Sequence, residues 1–177
     1  MDDHLIRRRI HMLQIRPITP SDAEAFLQLR TRLDHETRLM MLEPGERSAS
    51  VSQVRENIEE TLASSNSTIL VVDDDGKLTG YISAHGEPYA RARHSAYIVI
   101  GILQEAAGRG LGTRLFSELL AWAPQAGLHR LELTVMTHNQ AGIALYKKMG
   151  FEIEGTRRHS LRVDGQYVDE YSMALLL

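Results

Sequence analysis

A chain of 177 residues, 43% hydrophobic and 24% charged, suits one globular domain with a substantial apolar core and shows no sign of a disordered, fibrous or membrane class. Its 20 Lys and Arg against 23 Asp and Glu, a net charge of -3, argue against a general nucleic-acid binder that works by neutralising phosphates. The absence of cysteine excludes disulfides, thiolate catalysis and zinc-ribbon chemistry together.

Residues 1–11 include Arg7, Arg8 and Arg9 but lack the apolar run of a signal peptide. They are expected to form a flexible, solvated tail on a cytoplasmic protein, with residues 12–177 as a single domain. Residues 13–18 alternate as a strand, and Thr19, Pro20 and Asp22 supply a helix start running to about Leu33. Residues 34–50 have no clean period and read as a loop around Pro44 and Gly45, before a second helix over 51–63. A hairpin follows, with strands at 68–72 and 77–84 joined by a turn at 73–76. Residues 95–103 form an apolar strand in which Gly101 marks a bulge or a close approach to the backbone. Beyond a glycine-rich turn come a helix over 113–126 and a strand over 130–136. A helix over 140–149 is closed by Gly150, and two strands, 151–158 and 167–175, flank the turn signal Asp164-Gly165.

Two stretches carry chemistry. The turn Ala107-Gly108-Arg109-Gly110-Leu111-Gly112, followed at once by Thr113 and a helix, can bring several backbone N–H groups around one anion at a helix N-terminus. An ordinary tight turn is the competing reading of that segment. The P-loop is excluded by the missing Lys-Ser/Thr ending, and the dinucleotide fingerprint by Thr113 in place of a glycine. The second stretch runs from Asn139 to Phe151. Alone, it reads as a short helix with Asn139 as N-cap, Ile143, Ala144 and Met149 inward, and Tyr146 half-buried.

Together and in this order, the two stretches resemble the coenzyme-binding signature of the GNAT acetyltransferase superfamily. The similarity covers roughly residues 13–175 and is most specific over 95–151. It implies an α/β (α+β) fold with a central, mostly antiparallel sheet, helices on both faces, and acetyl-CoA as co-substrate; no metal is expected, because the eight histidines are scattered and His35-Glu36 is not followed by the second His of a helical zinc site. Gly110 and Gly112 match the two small positions of the family's pyrophosphate motif, and Gly108, Arg109, Leu111 and Thr113 complete that cradle. Ala107 stands where the family has Arg or Gln. Main-chain groups near Ile100 and Ile102 would bind the pantetheine arm, Asn139 would contact the same arm, and Tyr146 would protonate the departing thiolate as the catalytic residue.

The implied reaction is direct attack of a primary amine on the thioester, with no covalent enzyme intermediate. The strand at Tyr97-Ile98-Val99-Ile100 lacks the acidic residue that many members carry there. The base is therefore sought among Glu132, His85, Glu87 and His94. Glu43 and Glu46 are candidates for the acceptor pocket, with a solvated loop as the alternative. The C-terminal hairpin, residues 155–173, resembles members acting on amino acids, small amines or protein N-termini. The expected partner is such an amine, small or peptidic, with no nucleic acid and no membrane; a homodimer is left open. A non-catalytic acyl-CoA sensor and a protein- or ribosome-directed acetyltransferase are the alternatives.

Overall fold

The computed structural model describes residues 13–177, so the expected tail at residues 1–11 lies outside the described residues. Strand β1 (Leu13–Pro17) leads into a 3-10 turn capped by Thr19, whose backbone N–H donates to Asp22 Oδ2 at 2.8 Å. Helix α1 (Ala23–Glu36) follows, beginning three residues later than expected, after the 3-10 turn, and ending three residues later. Helix α2 (Val51–Ala63) starts at a reciprocal cap: Gln53 N–H donates to Ser50 Oγ at 3.2 Å and Ser50 N–H to Gln53 Oε1 at 2.8 Å. The remaining elements are β2 (Thr68–Asp74), β3 (Lys77–Gly86), β4 (Ser95–Ile102), α3 (Leu111–Trp122), β5 (Arg130–Met136), α4 (Gln140–Lys148), β6 (Glu152–Val163) and β7 (Gln166–Leu176). Among the described residues no helix is long and apolar enough to cross a membrane.

The seven strands form one sheet in the order β1-β2-β3-β4-β5-β7-β6, in which only β4 and β5 run parallel. This is the expected mixed fold, mostly antiparallel, with helices on both faces. Alternation along each strand sends one set of side chains to each face. On one face Leu115, Phe116 and Leu119 of α3 and Ile143 of α4 pack over Ile82, Ile98 and Leu131. On the other, Phe26, Leu29 and Leu33 of α1 and Val54 and Ile58 of α2 cover Val71 and Tyr81. Phe26 meets Tyr81 edge to face at 5.1 Å. Burial at roughly 25 cal/mol per Å² on both faces is what holds the helices to the sheet.

Some expectations need correction. Of the two readings of Gly101 the close approach holds and the bulge does not: a Cβ there would lie 2.7 Å from Leu33 Cδ1, so the glycine admits the side chain of α1 against β4. Helix α3 begins two residues earlier and ends at Trp122, before Pro124, which has no N–H to extend the ladder. Strand β6 continues to Val163 rather than stopping at residue 158. Its alternation is broken by His159, at φ 52°, whose N–H donates to Asp169 Oδ1 at 2.7 Å, and the pairing register shifts there.

Candidate active site

The parallel pair β4–β5 is short. Ser95, Ala96 and Tyr97 pair with Arg130, Leu131 and Glu132, and beyond them the strands diverge. From Ile98 onward, β4 keeps β3 as its only strand neighbour, and its other edge turns main-chain N–H and C=O groups toward the gap. Such groups need partners. Tyr97 stands at the fork: its hydroxyl lies 2.8 Å from Thr134 Oγ1 and accepts from Thr134 N–H at 3.3 Å, so one side chain of β4 braces the opening against β5. A cavity of about 510 Å³ fills the opening. Ile100, Ile102, Ala107, Asn139 and Tyr146 all border it, brought together from three segments, β4, the turn after it, and α4 with its cap.

The glycine turn follows Ala107. Gly108 and Gly110 have φ of 73° and 72°, the left-handed region where a side chain would be strained, and space is open where a Cβ would project from either. Gly110 is the N-cap of α3, so the first N–H groups of that helix lack intrahelical partners and its positive dipole end faces the turn. Gly112 has a further role. It is buried, and a Cβ there would lie 2.8 Å from Leu145 Cδ2, so its hydrogen lets α4 approach α3. Leu111 is buried in the core beneath the turn. Lys148, from the end of α4, donates to Thr113 Oγ1 at 3.2 Å and brings a positive charge to the start of α3. Arg109 is half-exposed, with Nη1 3.9 Å from Asp74 Oδ2.

Asn139 is the N-cap of α4: its Oδ1 accepts from Gly142 N–H at 2.9 Å, which leaves the carboxamide nitrogen as a donor at the cavity wall. Two turns on, Tyr146 is buried rather than half-buried, at 9% exposure, while Ala144 is exposed rather than inward. The ring of Tyr146 packs against Phe116 edge to face at 5.8 Å and against Phe151 at 6.1 Å. Burial, reinforced by Tyr97, pushes its hydroxyl up to about 12. The group therefore stays protonated across the working range and is a weaker acid than a free phenol.

None of the four residues considered as a base borders the cavity. Glu132 is held by Arg130 Nε at 2.9 Å, and His85 lies in a different cavity beneath α2. Glu87 and His94 sit in the exposed connection between β3 and β4. Glu43 borders a smaller adjoining hollow, and Glu46 Oε2 accepts from Glu43 N–H at 2.8 Å, tightening that loop. The carboxylate that does reach the cavity is Glu170, on β7, 4% exposed. Among the described residues it accepts no hydrogen bond, and its one ion pair, to Arg157 Nη1 at 3.4 Å, comes from an exposed side chain. The local signal for it is slight: period two puts Glu170 on the face opposite Tyr171, Met173 and Leu175, in a strand that also carries Asp169.

Leu39, Met40 and Met41 from the loop after α1 form an apolar rim. Arg38 Nε, in that loop, lies 3.3 Å from Asp164 Oδ2 at the tip of the β6–β7 hairpin, so loop and hairpin meet beside the smaller adjoining hollow.

A parallel strand pair thus opens beside a glycine turn and a buried tyrosine. Residues 31–151 match the family model described as Acetyltransferase (GNAT) family, and the chain belongs to that family. It is 36% identical over 107 residues to the L-amino acid N-acetyltransferase AaaT of Escherichia coli, a match spanning 59% of this chain and 65%, just under two thirds, of that relative. It is 39% identical over 116 residues to the N-alpha-acetyltransferase RimI of Mycobacterium tuberculosis, covering 63% of this chain and 68% of the other. The fold matches a solved GNAT-family acetyltransferase from Streptococcus pneumoniae with a TM-score of 0.91, at 31% identity, over 94% of this chain and all of the other.

Proposed function

We propose that the protein transfers the acetyl group of acetyl-CoA to a primary amine by direct attack. The observation that carries this reading is the cleft bordered by the unpaired edge of β4, by Ala107 at the head of the glycine turn, by Asn139 and by Tyr146. The residues present fit the coenzyme. Two left-handed glycines with open space above them, a helix N-terminus and Lys148 make a place for a pyrophosphate. Acetyl-CoA, when bound, supplies an acyl group activated as a thioester. The free main-chain groups around Ile100 and Ile102 hold the extended arm by strand-like hydrogen bonds and offer N–H donors to a carbonyl oxygen as its charge grows. The Asn139 carboxamide nitrogen donates to the same arm. Tyr146 Oη, permanently protonated, donates to the departing sulfur.

Glu170 completes the scheme. Its carboxylate attracts the ammonium of the acceptor and takes its proton, leaving a neutral amine able to attack. The apolar rim at Leu39, Met40 and Met41 suits an acceptor with a hydrophobic portion. The names of AaaT and RimI, an L-amino acid and an N-alpha enzyme, support amino acids or N-terminal amines as the acceptor class. The test is to present acetyl-CoA with a free amino acid, a polyamine and a short peptide and to identify products by mass spectrometry. The expected product is an N-acetylated free amino acid. Preferential acetylation of the peptide would support the protein-directed reading, and coenzyme binding with no product from any amine would support the sensor.

A further inference from the structure

A second large cavity, about 360 Å³, lies under α1 and α2 against β3, and acetyl transfer makes no use of it. Tyr81, Ser83 and His85 follow one another along β3 at period two and face it, with Ser83 Oγ 3.1 Å from His85 Nε2. Arg30 enters from α1. Its Nε is buried and has no hydrogen-bond partner, and its guanidinium lies 5.5 Å from the centre of the Phe26 ring. The carboxylate one turn further along α1, Asp34, is fully engaged: Arg47 donates to its Oδ2 at 2.6 Å and to its Oδ1 at 3.0 Å. Arg30 thus has no ion pair among the described residues, and burial pushes its guanidinium below the usual arginine range.

The charges around the cavity define the ligand. Arg47 and Asp34 cancel each other. Tyr81 is kept neutral by burial, and partial burial together with the charge on Arg30 holds the His85 imidazole below its ordinary range. Arg30 supplies the one positive charge inside the cavity, and Glu60, exposed on α2 at the rim, opposes a second negative charge on anything that enters. A planar guanidinium fork matches a carboxylate in shape as well as charge. Phe26, Val54, Ile58 and Ile69 give the remaining wall an apolar surface.

We propose that this cavity binds a small organic monocarboxylate, its carboxylate on the Arg30 guanidinium beside Tyr81 and Ser83 and its hydrocarbon body against Phe26, Val54 and Ile58. The site is separate from the transfer cleft, although Val99 of β4 lines both. It does not depend on the acetyltransferase reading.

Calorimetry of the full chain with hexanoate, hexanamide and inorganic phosphate tests the assignment. Hexanoate should bind one to one, hexanamide and phosphate at least tenfold more weakly, and saturating coenzyme A should leave hexanoate bound. Arg30→Met should abolish hexanoate binding. Should that variant fail to fold, His85→Glu, an exposed change that puts a competing carboxylate beside Arg30, should abolish it as well. Equal binding of acid and amide, tighter binding of phosphate, displacement by coenzyme A, unaltered binding in His85→Glu, or no binding of hexanoate to the wild type would each overturn the proposal.

Discussion

Tyr146→Phe removes one hydroxyl and leaves the ring contacts with Phe116 and Phe151 in place, so fold and coenzyme affinity should survive. The size of the loss follows from the environment. Burial, which raises the hydroxyl to about 12, makes Tyr146 a weaker acid than a free phenol, so complete proton transfer to the thiolate is disfavoured. The hydroxyl therefore acts mainly as a hydrogen-bond donor to the growing negative charge, an interaction of about 1.5–3 kcal/mol. Turnover at saturating substrates should fall about 10- to 100-fold, at or below the lower end of the roughly 10²- to 10⁴-fold range of general acid catalysis. Release of coenzyme A thiol, followed for both proteins, measures it, with calorimetry as the control on binding. Because the hydroxyl does not ionise below its raised value, the ratio of the two rates should stay constant between about pH 6 and pH 10. Unchanged turnover would remove Tyr146 from the chemistry. A falling alkaline limb present only in the wild type would show that the hydroxyl ionises in the working range and would refute the argument from burial.

Gly110→Val forces a β-branched residue to φ 72° at the helix start, so it should lower thermal stability by about 1–2 kcal/mol and weaken coenzyme A binding tenfold or more, both measurable on the folded variant. Glu170→Gln keeps the shape of the side chain but cannot accept the acceptor's proton; kcat/KM for the amine should drop by roughly 10²- to 10⁴-fold while coenzyme affinity is unaltered. Hydrogen bonding from Arg16 lowers Asp22 to about 2, which stabilises the fold above the ordinary carboxylate range. That contribution should be lost as pH falls from about 4 to about 2, and acid unfolding of Asp22→Asn should lack this part of the pH dependence.

Much of the fold is legible because local chemistry and tertiary packing agree. Helix α2 and strand β5 occupy the residues expected, one fixed by the Ser50 cap and the other by clean alternation. The glycine turn was legible for the same reason: positive φ at Gly108 and Gly110 is a demand that sequence can express. Strand β6 was cut short because the positive φ at His159 depends on Asp169, ten residues away, and no local pattern announces it. Glu170 was missed as a site residue because its meaning comes from the divergence of β4 from β5, a tertiary event; along the chain it is one acidic residue among 23 Asp and Glu. Arg30 escaped notice likewise, since only the assembled cavity shows that Arg47 takes the carboxylate it would otherwise use.

Hydrogen–deuterium exchange with and without coenzyme A tests the central claim most directly, because the account assigns the coenzyme to particular main-chain amides. Binding should slow exchange in two segments, the free edge of β4 at residues 98–102 and the turn and helix start at residues 108–114, and should leave β1 unchanged. Protection absent from both segments, or concentrated in the β6–β7 hairpin, would contradict it.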